Sequence, residues 1–164
     1  MYTYIDLDGT LTQYDYSDYD NNNWIKHPEI LCKPPVIKSI PTNFIIFSKV
    51  TTPEEAILKQ EWVDKYFPNN LLLTTYGPKD LVVDPHNSIL ISDYKEELNR
   101  WISAGGIGIK MLNGINSPSP TLYSVPQTDT IELVQQDDNS FALCFETPTE
   151  CYKYYIEGEI KWKK

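Results

Sequence analysis

Cysteine is scarce. There are three, Cys32, Cys144 and Cys151, an odd number with no metal-like pairing. That argues against a disulfide framework and leaves each thiol the expected role of a small buried hydrophobe. No run approaches the roughly 18 apolar residues of a membrane-spanning helix, so no membrane partner is expected. The N-terminus lacks a basic region leading into an apolar stretch, so a secretion signal is not expected. The cytoplasm of the producing cell, or of a host cell if the chain is phage-encoded, is the expected location. Positive charge is also in short supply: 14 Lys and Arg face 23 Asp and Glu, a net charge of -9. Such a chain lacks the basic excess of proteins that grip a nucleic-acid backbone, which argues against a polynucleotide partner. It does not exclude a small anionic substrate, because a local cation and a metal can reverse the field inside one cleft. There is no internal repeat.

What is present is the composition of a globular domain. Of 164 residues, 41% are hydrophobic and 23% charged, with 12 Tyr and 4 Trp. The length favours one domain with a small appendage. Residues 2–7 (YTYIDL), 43–48 (NFIIFS), 70–75 (NLLLTT), 88–92 (SILIS) and 107–112 (IGIKML) read as strands. Several are the continuous apolar runs of strands covered on both faces. TTPEEAILKQEWVDKYF reads as a helix with Thr52 as N-cap, Pro53 at its first position and Glu54 and Glu55 at its positive end. Ala56, Ile57, Trp62, Val63 and Phe67 are its expected buried face. DYKEELNRWISAGG reads as a second helix, with Asp93 a candidate N-cap and Gly105-Gly106 as its stop.

Strands alternating with helices predict an α/β fold, a doubly wound, Rossmann-like parallel sheet over residues 1–113. Residues 13–43, polar and aromatic and then proline-rich, read as a short cap or loop with one helical turn near Pro35–Ser39. Residues 114–164 read as a β-rich C-terminal extension with a hairpin around Asp137-Asp138-Asn139. It packs either on the core or at a dimer surface, so a homo-oligomer is one of two arrangements left open.

Chemistry concentrates in the stretch YIDLDGTLTQ. Residues i and i+2 of a strand point the same way, so a strand running to residue 8 projects Asp6 and Asp8 together. They sit at the sheet edge where ligands of open α/β folds bind. Two such carboxylates repel unless a proton or cation intervenes. Mg2+, with its oxygen ligands and affinity for phosphate, suits the position.

IDLDGTLT resembles the first motif of the haloacid dehalogenase-like (HAD) superfamily of phosphatases. The resemblance spans residues 1–113 and implies a HAD-like fold with a minimal cap. It implies that Asp6 is a nucleophile forming an aspartyl-phosphate, and that Asp8 is the general acid and then base. Covalent catalysis divides one hard displacement into two easier steps, and one carboxyl can serve both proton transfers. Ser48, ending FIIFS, fits the second motif, a hydroxyl on a phosphoryl oxygen. Lys79, in TTYGPKD, is the candidate for the third, a cation offsetting charge on the transferring group. Lys59 and Lys65 are its rivals and are expected at the surface, with Lys49 solvated. Gly9, Thr10, Ser48 and Lys79 are the implied phosphate-binding residues. The fourth motif supplies acidic metal ligands; here it reads Ser92-Asp93 where many relatives have two aspartates. Asp6, Asp8 and Asp93 are then the implied Mg2+ ligands, and Glu96 and Glu97 are expected on a solvated helix face.

EWVDKYF and WISAGGIGI are similar to compact phage and bacterial 5′(3′)-deoxyribonucleotidase-like members. That similarity implies a small phosphorylated substrate, a nucleoside monophosphate. The short cap is too small for a helical bundle, and Tyr14, Tyr16, Tyr19 and Trp24 in it either stack on a base or anchor the loop on the core. His27 and His86 are expected to be structural. Two alternatives stay open: a catalytically weak nucleotide- or phosphate-binding protein, and a polynucleotide end phosphatase.

Overall fold

The computed structural model describes residues 2–12, 23–35, 43–111, 131–135, 141–145 and 160–161. Its centre is β1 (Tyr2–Ile5), flanked by β2 (Ile45–Lys49) and β4 (Ser88–Ser92), with β3 (Leu72–Thr75) beyond β2 and β5 (Ile107–Met111) beyond β4. All five run parallel in the order β3-β2-β1-β4-β5. Helix α2 (Pro53–Tyr66) links β2 to β3, and α3 (Lys95–Ser103) links β4 to β5. The chain therefore winds outward from β1 in both directions, an α/β Rossmann-like arrangement. The winding reverses between β1 and β4, the switch point where such sheets bind ligands.

Alternation along the strands sorts the core into two layers. Ile5, Ile46, Ile89, Ile91 and Ile109 pack with Trp62 and Val63 of α2. Tyr4, Phe47 and Leu90 face the other way and pack with Leu98 and Trp101 of α3. The sheet is thus covered on both faces, which explains its nearly unbroken apolar strands. Trp24, in the short helix α1 (Asn23–Lys26), and Ile30, in the turn Pro28–Cys32, complete the α2 layer.

Local signals account for the helix ends. The Thr52 hydroxyl accepts from the Glu55 N–H at 3.1 Å, Pro53 follows it, and Lys65 lies in the last turn. The start of α3 departs from expectation. Tyr94, not Asp93, occupies its N-cap position and makes no side-chain cap bond. After α3, Gly105 takes φ 96, the left-handed conformation that ends a helix at least cost on glycine.

The buried face of α2 also differs from the apolar stripe. Glu55, Lys59, Trp62 and Val63 point inward, while Ile57 is 60% exposed. Ile57 lies two residues from Lys59, about 200° round the helix, so both cannot face the sheet.

The described parts of the C-terminal segment are β6 (Ile131–Gln135), β7 (Phe141–Phe145) and β8 (Ile160–Lys161). β7 runs parallel to β5, β6 antiparallel to β7, and β8 parallel to β6. Among the described residues no helix is long and apolar enough to cross a membrane. Cys32 is exposed rather than buried, in contrast to expectation.

Candidate active site

β1 ends at Ile5, before both aspartates. The Asp6 N–H still donates to Ile91 O of β4, at 2.8 Å, so Asp6 keeps the strand direction. The chain then turns through Leu7–Leu11, closed by the Thr12 N–H donating to Leu7 O at 3.0 Å. Gly9 takes φ 72 inside this turn, and its N–H donates to the Thr12 hydroxyl at 3.3 Å. A strand running to residue 8 would have aimed both carboxylates the same way. With the strand ended, they part.

Asp6 has the parity of Tyr4 and meets groups from the α3 layer. Its Oδ1 accepts from Lys79 Nζ at 2.7 Å and its Oδ2 from the Ser92 hydroxyl at 3.3 Å. Lys79 also donates to Glu97 Oε2 at 2.9 Å, and the Ser92 hydroxyl lies 3.1 Å from the same oxygen, its single proton shared between Glu97 and Asp6. Asp8 turns toward the α2 layer. Its Oδ2 accepts from Lys59 Nζ at 2.6 Å and lies 3.5 Å from the Ser48 hydroxyl, while its Oδ1 accepts from the Trp24 indole N–H at 2.5 Å. Asp93, just past β4, is held by Thr10: its N–H donates to the Thr10 hydroxyl at 3.2 Å, and that hydroxyl reaches Asp93 Oδ1 at 3.5 Å.

Asp6, Asp8, Ser48, Lys79, Thr10 and Asp93 therefore gather at the carboxyl end of the sheet, and Gly9 shapes the turn between them. Three residues expected elsewhere belong to the same cluster. Lys59, expected at the surface, is fully buried. Glu97, expected on a solvated face, pairs with Lys79. Trp24 is 1% exposed, edge-on to Trp62 at 6.3 Å between ring centroids, with Lys59 Nζ 5.9 Å from its own ring. So placed, its ring has no open face for a base, and its N–H serves Asp8 instead. Tyr14, Tyr16 and Tyr19 lie outside the described residues. Lys49 and Lys65 are exposed, as is Glu96, which accepts from the Tyr94 hydroxyl. His27 and His86 pair with Glu29 and Asp84 on the surface.

The electrostatics follow from this packing. Burial pushes the Asp6 carboxyl up to about 7; Lys79 opposes the rise, while Glu97, Asp93 and Asp8 add to it. For Lys79, burial works downward, but the Asp6 and Glu97 carboxylates outweigh it and leave the ammonium form favoured. Lys59 behaves alike, with Asp8 and Glu55 overturning its burial. Both lysines are thus resident cations. On the α3 side Lys79 lies between Asp6 and Glu97. On the α2 side Lys59 lies between Asp8 and Glu55.

This bears on magnesium. Among the described residues no group of three His, Cys, Asp or Glu side chains is arranged to hold a metal ion. The set of Asp6, Asp8 and Asp93 is thus not assembled, because Asp8 is drawn away to Lys59 and Trp24. Mg2+ does not require such a cage: it keeps several waters and binds through one or two carboxylates plus substrate phosphate. Asp6, just past β1, and Asp93, just past the neighbouring β4, are the carboxylates to test for that smaller donor set.

Compared with protein-family models, curated proteins and solved structures, the chain matches none.

Proposed function

We propose that the protein is a phosphomonoester hydrolase of HAD type, working through an aspartyl-phosphate on Asp6. The observation that carries this reading is the pair of aspartates at the switch point, each with its own buried lysine and each drawn to a different layer. A nucleophile and an acid/base need different partners, and here the partners differ.

In this reading Asp6 attacks phosphorus. Lys79, bonded to Asp6 and Glu97, offsets charge on the phosphoryl oxygens. The Ser48 hydroxyl, at the end of β2, holds one of those oxygens. Asp8, with 24% of its side chain exposed, takes a proton from solvent, gives it to the leaving oxygen as the ester P–O bond breaks, and then takes one from the water that attacks the aspartyl-phosphate. Asp6 and Asp93 would hold Mg2+, with water and substrate phosphate completing its oxygen ligands. Bound there, the ion would favour the Asp6 carboxylate at neutral pH and draw in the phosphate dianion. Ser92, where many relatives have an aspartate, supports Asp6 by a hydrogen bond, and Glu97 supplies the further negative charge from α3.

A nucleoside monophosphate is the substrate class to test first, on the strength of the sequence resemblance. The decisive assay is phosphate release over a panel of phosphomonoesters, with and without magnesium. Mononucleotides, a 3′-phosphorylated oligonucleotide and simple aryl and alkyl phosphates belong in the panel. Magnesium-dependent release from mononucleotides is the expected result. Release from the oligonucleotide alone would transfer the reading to a polynucleotide end phosphatase. Calorimetric binding without release from any ester would leave a phosphate-binding protein.

A further inference from the structure

The two buried lysines differ in what they have left to offer. An ammonium group has three N–H donors. Lys59 Nζ lies 2.6 Å from Asp8 Oδ2, 2.8 Å from Lys49 O, 2.9 Å from Glu55 Oε1 and 3.0 Å from Ser48 Oγ. Four oxygens already compete for its three protons, so gripping a phosphoryl oxygen would mean releasing one. Among the described residues Lys79 serves two carboxylates, which leaves one N–H for a substrate.

Lys59 is also anchored from behind. Glu55 accepts from the Thr51 N–H at 2.7 Å and from its hydroxyl at 2.9 Å, fixing the carboxylate at the start of α2. The chain of bonds runs from Thr51 through Glu55 and Lys59 to Asp8. Trp24 closes it by donating to the other Asp8 oxygen. Asp8 needs this support because no strand carries it: it sits in the turn beyond β1, at φ -70 and ψ 125, next to the left-handed Gly9. A carboxylate bonded at both oxygens from two helices cannot rotate freely, yet each oxygen retains lone-pair capacity. Burying a mid-helix lysine is costly unless its partners are complete. Here they are, and they converge on one functional oxygen.

We infer that Lys59 is a positioning residue for Asp8, assisted by Trp24, and that it does not bind the phosphoryl group. The inference rests on the phosphatase reading above, since it assigns Asp8 a proton-transfer task that depends on its aim.

The test is steady-state kinetics on the best phosphomonoester, for Lys59→Met, Lys59→Arg and Trp24→Phe beside the wild-type chain. Thermal melts report whether each variant folds. A misaimed proton donor costs chemistry rather than binding, so Lys59→Met should lose kcat by about 10²-fold with KM within about twofold. Lys59→Arg restores the charge and part of the hydrogen bonding, so it should recover part of the loss. Trp24→Phe keeps the ring packing and removes only the N–H, so kcat should fall by about tenfold with KM unchanged. A raised KM with kcat retained in the lysine variants would make Lys59 a phosphate ligand and overturn the inference. So would wild-type kcat in Lys59→Arg and Trp24→Phe together, and those two carry the test if Lys59→Met does not fold. If the wild-type chain itself releases no phosphate from any ester with magnesium, the phosphatase reading fails, a result distinct from active variants with unchanged kcat.

Discussion

On the α3 side of the sheet, Lys79 lies between Asp6 and Glu97; on the α2 side, Lys59 lies between Asp8 and Glu55. The pattern is the same, an ammonium between two carboxylates, but its mounting is not. Lys59 projects from the middle of a 14-residue helix and is saturated by oxygens. Lys79 comes from the short turn Lys79–Leu81 between β3 and β4, packs its Nζ 5.5 Å from the Phe47 ring, and serves fewer partners. The comparison teaches that two aspartates two residues apart can be given separate surroundings by ending the strand between them. One is held by a lysine in the middle of a helix; the other shares its lysine, set in a short turn, with Glu97.

The sharpest break of this comparison is Asp6→Asn, which should abolish phosphate release while the chain still folds, as measured by the phosphate assay and a melt. Next comes Lys79→Met. It leaves Asp6 and Glu97 without their cation, and stability should fall by about 3–5 kcal/mol in denaturant titrations. Turnover should fall by about 10²–10³-fold, and unlike Lys59→Met it should also raise KM.

A third prediction uses pH on the metal-free protein. The folded-state pKa of Asp6 is raised, from 3.8 to about 7, chiefly by burial. Its contribution to stability is therefore full below about pH 4 and is lost as pH rises through about 7. The wild-type melting temperature, measured against that of Asp6→Asn, should fall across this window. Lys79, whose pKa is raised above 10.5, remains charged throughout it and adds no slope. Magnesium, if held by Asp6 and Asp93, should raise the melting temperature more at pH 7 than at pH 5. The smallest effect is Thr52→Ala, which removes the α2 cap and should cost about 1 kcal/mol without changing kcat.

The fold was legible where hydrophobic pattern and helix signals agree. SILIS is a strand over the same five residues read from the sequence, and TTPEEAILKQEWVDKYF is helical from Pro53 to Tyr66. Asp6, Asp8, Ser48, Lys79 and Asp93 were legible because each sits at or just beyond a strand end, or in the loop after one. What escaped was charge facing inward. Glu55 and Lys59, four residues apart, look like a solvated pair, and only their common face with Trp62 and Val63 signals otherwise. Glu97 was hidden for the same reason, one position before the buried Leu98. Trp24 was open between stacking on a base and anchoring its loop on the core; it anchors, with its ring buried against Trp62 and its N–H donated to Asp8. The expectation that Asp6 and Asp8 project together assumed a strand three residues longer than the one that forms.

The most direct test of the central claim is to trap the covalent intermediate. The wild-type chain is quenched in acid during turnover with magnesium and its best phosphomonoester, and the phosphorylated residue is located by mass spectrometry. The account predicts one phosphoryl group on Asp6, absent from Asp6→Asn. Phosphate release by Asp6→Asn at the wild-type rate, or a phosphoryl group on another residue, would contradict it.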